Sequence, residues 1–346
     1  MGIASGKILN KEIVHFYEEG ILITSSFNKV YFEQNGVLKV IVLPEIWLYD
    51  IIGKIRIIRR LLRLDKCNVY PTSDGLIIIR RGYVYFFDFV TETLSQVLKL
   101  KNCRNILHQA ITQTEDRDIY FGEYGSNPNR GAVPVYRSSD RGKSWQIIYE
   151  FAPGSIRHVH ACCYDIYENK IWICTGDFGT ENKILIASPD FKNIETIGDG
   201  SQKFRTCNFF FTSNEVHWLM DSQLETCYHF KLLRSTRSVK QLSELPGPVW
   251  YSKQTPAGYL AGTAQEIGPG VKDDFTHLLY SKDLVNWNTI RKYRHDIWPR
   301  KYFKSGVIGF SEGTIKDEFY LFFEAIRDFD GKSEKVCLSE NEFSNL

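Results

Sequence analysis

The chain is cut into short apolar runs of about five to eight residues, each ended by turn-forming residues, and helical periodicity is scarce. One stretch reads NILHQAIT, DIYFGEY, VPVYRSS and WQIIYEF, joined by EDR, SNPNRGA and DRGKS. The next repeats the pattern as IRHVHACCYD, KIWICTGD, KILIASPD and IETIG, and the one after as FRTCNFFF, EVHWLMDS, CYHFKLLR and SVKQLSEL. PVWYSKQT, GYLAGTAQ, HLLYSKD and WNTIRKY follow, and NVYPTS, LIIIRR, YVYFFDF and LSQVLKL precede them. Such runs suit strands, and four strands per roughly 40–50 residues is the period of a β-propeller blade. The expected fold is therefore all-β: a single β-propeller domain over 1–346, of seven four-stranded blades by count, with six as the alternative. The C-terminal unit offers only KSGVIGF, EFYLFFEA and KVCLSE, so its fourth strand is expected from the N-terminal segment, closing the ring. Segment 45–64 fits no blade and is expected to be an insertion or a surface helix.

Composition agrees with strands: aromatics reach 14% and there are two methionines. Lys plus Arg (43) nearly balances Asp plus Glu (41), so no global charge points to nucleic acid. The first twenty residues lack an apolar core followed by a small-residue cleavage site, and Gly6 stands where a myristoylation signal wants a hydroxyl. The apolar stretch 38–64 is broken by Pro44, Glu45, Asp50 and several basic residues, which excludes a membrane span. Its basic part, 48–64, could instead rest on a membrane surface. Eight cysteines without a CxxC pair read as free thiols in a reducing cytoplasm. The GPG at 268–270 lacks the Gly-Lys-Ser/Thr ending of a phosphate loop, so no cofactor is expected. Oligomeric state is left open.

At 138–145 the chain reads SSDRGKSW, between the third and fourth strands of its unit. SPDFKN at 188–193 and SKDLVNW at 281–287 occupy the same slot. With these octets the chain resembles the Asp-box (BNR repeat) propellers of the sialidase-like superfamily. Locally, Asp140 is expected to accept backbone N–H groups, Gly142 to take positive φ, and Trp145 to pack between blades. The resemblance implies that this turn lies on the face opposite the active site, and that the substrate is a glycan. No Arg-Ile-Pro triplet occurs, so sialidase activity proper is not expected.

If the octet marks one face, function belongs to the loops on the other: the approaches to first strands and the connections between second and third strands. The approaches carry His108, Arg157, His158, His160, Lys203, Arg205, Trp250, Tyr251 and Lys304. The connections carry Glu123, Tyr124, Arg130, Asp177 and Asp221. Guanidinium forks grip carboxylates and aromatic faces take the C–H side of sugars, so this set suits an acidic oligosaccharide or polysaccharide. Glu123, Asp177, Asp221, His108 and His160 are the catalytic candidates. Arg130, Arg157, His158, Lys203, Arg205, Tyr124, Trp250, Tyr251 and Lys304 are the substrate-binding candidates. The expected function is that of a glycoside hydrolase using two of the three carboxylates, with the next two readings as alternatives. A uronate lyase would use a His or Tyr base beside an Arg or Lys clamp. A non-catalytic propeller would bind a glycan or a protein through the same face. Arg157 and Arg205 could also simply tie Asp177 and Asp221, and Glu123 could simply hold its own loop. His158 and His160 are read as facing opposite sides of their strand, which disfavours a metal site; no metal is expected.

Overall fold

The computed structural model describes residues 2–10, 13–313 and 318–339. The structure is built from antiparallel sheets whose strands pair in chain order. By contacts the chain divides into two compact units, one of 71–250 with 267–272 and the other of 1–70, 251–266 and 273–346.

In the first unit the strands Ile111–Gln113, Ile119–Gly122, Val133–Ser138 and Gln146–Phe151 form one sheet. His158–Asp165, Lys170–Gly176, Asn182–Ala187 and Ile194–Gly200 form the next. Phe210–Phe211, Glu215–Leu219, Tyr228–Leu233 and Val239–Glu244 form a third. Gly75–Arg80, Tyr83–Asp88 and Leu94–Lys99 follow the same order. Burial explains the composition of each run. The second strand KIWICTG is buried on both faces, which is why it is continuously apolar. The fourth strand IETIGDG is mostly exposed, and its charges blunt an edge that would otherwise pair with other chains. Between the 111–151 and 158–200 sheets, Tyr120, Val135, Ile156, Val159, Ile173 and Leu185 form a core. Each such aliphatic side chain contributes about 1.5–3 kcal/mol on burial.

In the second unit Ile13–Glu18, Ile21–Ser26, Lys29–Gln34 and Val37–Val42 form a sheet. Gly258–Gln265, Phe275–Ser281 and Asn288–Arg294 pair in order, and so do Gly306–Phe310, Glu318–Glu324 and Lys332–Ser339. The two sets are joined where Ala264 and Gln265 pair with Val307 and Gly306. Gly2–Asn10 adds to Lys332–Ser339, with Ala4 opposite Cys337. Segment 45–64 holds two short helices, Trp47–Ile52 and Arg56–Leu61, neither of which buries a whole residue. The second is held by its basic side chains: Arg60 bonds Asp296 at 2.6 Å, and Arg56 bonds Asp330. Among the described residues no helix is long and apolar enough to cross a membrane. The eight cysteines are free, seven of them buried.

The octet forms a closed turn. Asp140 Oδ1 accepts from Ser138 Oγ at 2.7 Å and from the Ser144 amide at 2.9 Å, while Oδ2 accepts from Ser144 Oγ at 2.6 Å. Gly142 has φ +98°, and a Cβ there would lie 2.6 Å from the Ile77 side chain. Trp145 packs edge-on against Phe121 with ring centroids 4.9 Å apart. Asp190 and Asp283 repeat the serine-to-aspartate bond and accept from following amides. Asp88 likewise accepts from the Val90 and Thr91 amides, a fourth copy whose sequence, DFVTET, lacks the serine two residues before the aspartate that makes the others visible. The hydrogen bonds of Asp140 act on the turn alone. Asp140→Ala is expected to cost about 2 kcal/mol, three net hydrogen bonds at about 0.5–1.5 kcal/mol each. A urea titration reads this as a lower midpoint with an unchanged slope.

Candidate functional site

Glu123, Asp177 and Asp221 occupy one structural position in three successive sheets: just past the second strand, where the chain turns outward. A carboxylate buried there must be neutralised or hydrogen-bonded, and each is tied back to the segment leading into its own sheet. Glu123, 2% exposed, spends both oxygens on structure. Oε1 accepts from the Lys101 amide at 2.6 Å and Tyr136 Oη at 2.9 Å, and Oε2 from the Asn102 amide at 2.7 Å. Of its two readings, loop holding is the one the geometry favours.

Asp177 follows the same rule and then exceeds it. Its Oδ2 accepts from Arg157 Nη1 at 2.5 Å, the tie within its own sheet. Its Oδ1 meets Arg205 Nη2 at 3.1 Å, from the segment leading into the next sheet. The same oxygen lies 3.1 Å from His160 Nε2 and 3.4 Å from His158 Nε2. All five groups are within one compact unit, and His158, His160, Asp177 and Arg205 are buried. Backbone geometry presents the carboxylate: Gly176 has φ +151°, and a Cβ there would come 2.1 Å from Asn182 Oδ1.

The expectation that His158 and His160 face opposite sides is wrong. Side chains alternate along a strand, so residues two apart share a face. A register shift between Val159 and Ala161 leaves both imidazoles on Asp177. The ring of Tyr124 closes the group, 4.2 Å from that of His158 and 5.8 Å from that of His160. Asp221 joins through Arg205, whose Nε is 3.4 Å from Asp221 Oδ2; Cys207 Sγ donates to that oxygen at 3.4 Å. Gln223 Oε1 accepts from Arg205 Nη1 at 2.9 Å.

Burial sets the protonation states around this core. It pushes the His158 imidazole below its ordinary value, against the upward pull of Asp177. Burial, then the Asp177 charge, pushes the Tyr124 hydroxyl well above its usual range, and the Cys207 thiol is raised by burial and by Asp221. Tyr124 therefore keeps its proton and Cys207 stays a thiol. Two donor sets have the ligand types of a metal site: His158 with His160 and Asp177, and His160 with Cys207 and Asp221.

The remaining sequence candidates are placed elsewhere or otherwise engaged. Arg130 Nε bonds Glu181 at 2.5 Å, and Lys203 Nζ pairs with Asp199 at 3.0 Å. His108 is buried ahead of the strand Ile111–Gln113. Trp250 is half-buried at the end of the same unit. Tyr251 packs on Phe322 and Lys304 bonds Glu324, both in the other unit. That unit also holds an open pocket of about 590 Å³ lined by Arg56, Arg59, Arg60, Arg63 and Lys304. Residue types alone did not single it out, because its arginines come from the segment that fits no strand pattern. Cys207 is the site residue that sequence reasoning passed over, as one apolar-strand thiol among eight.

No known protein family matches the sequence, and no curated protein matches it. The structure is similar to the extracellular domain of BT4673 from B. thetaiotaomicron, at 12% identity and a TM-score of 0.56, over 95% of this chain and 38% of that one. It is similar to a prolyl endopeptidase at 11% identity and a TM-score of 0.52, over 95% of this chain and 50% of that one. A chain of the nidogen/laminin complex aligns at 10% identity and a TM-score of 0.47, over 72% of this chain and 85% of that one. The chain thus spans half or less of the first two. At such identities the likeness concerns the fold alone: all-β, propeller-like, of four-stranded antiparallel sheets.

Two substitutions separate the roles of the carboxylates. Arg205→Met strands Asp177 and Asp221 beside an apolar side chain and is expected to cost about 3–5 kcal/mol, as breaking a buried ion pair does. Glu123→Gln puts an amide against donors and is expected to cost about 1–3 kcal/mol. Chemical denaturation measures both. With Glu123→Gln, the near-ultraviolet circular dichroism of the folded protein should stay unchanged.

Proposed function

We propose that the chain is an Asp-box propeller of seven blades that cleaves an acidic glycan at the Asp177 cluster. Five four-stranded sheets, and an eight-stranded sheet that divides into two sets of four, support the count of seven. The blade turns supply the Asp-box likeness: Asp140, Asp190 and Asp283 bond alike in the third-to-fourth turn of three sheets.

The observation that carries the glycan reading is the meeting of Arg157, Arg205, His158 and His160 on one carboxylate, with the Tyr124 ring packed against His158. A sugar carboxylate can replace Asp177 as the partner of Arg157, whose side chain is 26% exposed and so reachable. Binding that carboxylate neutralises it and lowers the barrier to removing the adjacent C–H proton. The His158–His160 side supplies the group that takes that proton, and Tyr124, which holds its own, protonates the departing oxygen. This is β-elimination. It is favoured over hydrolysis because hydrolysis needs one carboxylic acid kept protonated, whereas Asp177 and Asp221 both face arginines and Glu123 is spent on its loop.

The test is incubation with a panel of oligouronides. Elimination gives an unsaturated product with new ultraviolet absorbance; hydrolysis gives reducing ends without it. The elimination reading expects the chromophore. It also expects Tyr124→Phe to slow its formation by about 10²–10⁴-fold, the usual worth of a positioned proton donor. Reducing ends alone would restore the paired-carboxylate route. Neither product nor binding across the panel would end the glycan reading.

A further inference from the structure

We propose that His158, His160 and Asp177 bind a divalent first-row transition-metal ion. The argument begins with the far side of each ring. His158 Nδ1 lies 2.7 Å from the Gly125 carbonyl oxygen, and His160 Nδ1 lies 2.9 Å from that of Thr206. A carbonyl can only accept, so in both neutral rings Nδ1 carries the hydrogen. The lone pair is thereby fixed on Nε2. A backbone carbonyl behind the ring is the usual outer partner of a metal-binding histidine.

Both Nε2 atoms then point at Asp177 Oδ1, a carboxylate oxygen that carries no hydrogen. A lone pair facing a carboxylate gains nothing unless a cation lies between them: a proton can serve His160 Nε2, which is at hydrogen-bonding distance from Asp177 Oδ1, whereas a metal ion would serve both rings at once. His158 Nε2 is in fact buried with no hydrogen-bond partner among the described residues, and Asp221 Oδ1 is in the same condition. Spacing supports a cation. Ligand bonds of about 2.0–2.2 Å give neighbouring donors about 2.8–3.1 Å apart in octahedral sites and about 3.3–3.6 Å apart in tetrahedral ones. His160 Nε2 and His158 Nε2 lie 3.1 and 3.4 Å from Asp177 Oδ1. The three donor atoms all lie within 4.8 Å of one another.

The other oxygen of Asp177 is held by Arg157, which fixes the carboxylate for one-oxygen ligation. Arg205 uses one lone pair of Oδ1 and leaves the other. Asp221 and Cys207, grouped with His160, can extend the donor set on the neighbouring side. Two imidazoles and one carboxylate with open positions suit Zn²⁺, Mn²⁺, Fe²⁺ or Co²⁺ rather than Ca²⁺ or Mg²⁺, which prefer oxygen. Metal binding does not depend on the substrate being a glycan. Resting on that reading, the ion would supply the base from the His158–His160 side as bound hydroxide, since a metal lowers the pKa of its water to about 7.

The full chain, stripped with chelator and dialysed, is titrated with Zn²⁺, Mn²⁺ and Co²⁺ by calorimetry, with bound metal measured by elemental analysis. One equivalent of at least one ion is expected, together with visible d–d absorption for bound Co²⁺. His158→Ala and His160→Ala should each weaken binding more than about 100-fold, since even outer partners of a ligand are worth about 10–100-fold. His217→Ala removes a different buried histidine, one bonded to His229 and Glu215, and should leave affinity unchanged. Should the two alanine variants fail to fold, stoichiometry and the Co²⁺ spectrum of the unaltered chain still decide. No retained ion and no Co²⁺ absorption overturns the proposal, as does binding that survives both histidine variants or is lost with His217→Ala. Retained metal with no glycan cleavage would sink the substrate reading and leave the site standing.

Discussion

The cost of burying a carboxylate at the end of a second strand organises the first compact unit. Each sheet turns outward at that point, and three of them carry an acid there: Glu123, Asp177 and Asp221. An isolated ion in such a place would cost several kcal/mol, so each acid must recruit donors from nearby chain. Glu123 recruits two amides and a phenol, Asp177 recruits Arg157, and Asp221 recruits Arg205. These bonds fix how the approach segment of each sheet lies against its own second-strand exit. The site is therefore made of the same parts that hold the repeat together.

Much of the architecture was legible because strands buried on both faces must be apolar throughout and outer strands must not be. KIWICTG beside IETIGDG shows both constraints within one sheet. The turn chemistry of SSDRGKSW was equally readable, since each residue acts on neighbours within the octet, Trp145 apart. Legibility failed where partners are far apart in sequence. Glu123 read as a catalytic acid because nothing local announces the Lys101 and Asn102 amides that occupy it. Tyr251 and Lys304 were grouped with the site by their place in the repeat, yet they belong to the other compact unit. Asp88 closes a turn in the same slot as Asp140 without its flanking residues, through the Val90 and Thr91 amides. The histidine pair is a different case: positions 158 and 160 have the same parity, so strand alternation alone puts both rings on one face.

Ion pairing by itself does not mark function. At the other end of the strand His158–Asp165, Asp165 is fully buried and bonds Arg234 through both oxygens, at 2.6 and 2.9 Å. Arg234 also meets Glu168 at 3.4 Å and donates to the Thr212 carbonyl, Asp165 Oδ1 also accepts from the Tyr167 amide at 3.1 Å, and among the described residues no histidine pairs with this carboxylate. The Asp165–Arg234 pair does for the sheets what a structural tie needs to do.

Asp177 differs by surplus. A structural tie needs Arg157 alone, yet Arg205 and two imidazoles also converge on its other oxygen. Burying those imidazoles costs desolvation, offset in part by their bonds to the Gly125 and Thr206 carbonyls. Their Nδ1 atoms are fixed by backbone carbonyls, which constrains ring orientation more than packing requires. Orientation of that kind matters only to the atom on the opposite side of the ring. What Asp177 has and Asp165 lacks is the pair of imidazoles, and it is on that difference that the proposed metal site and the proposed elimination both rest.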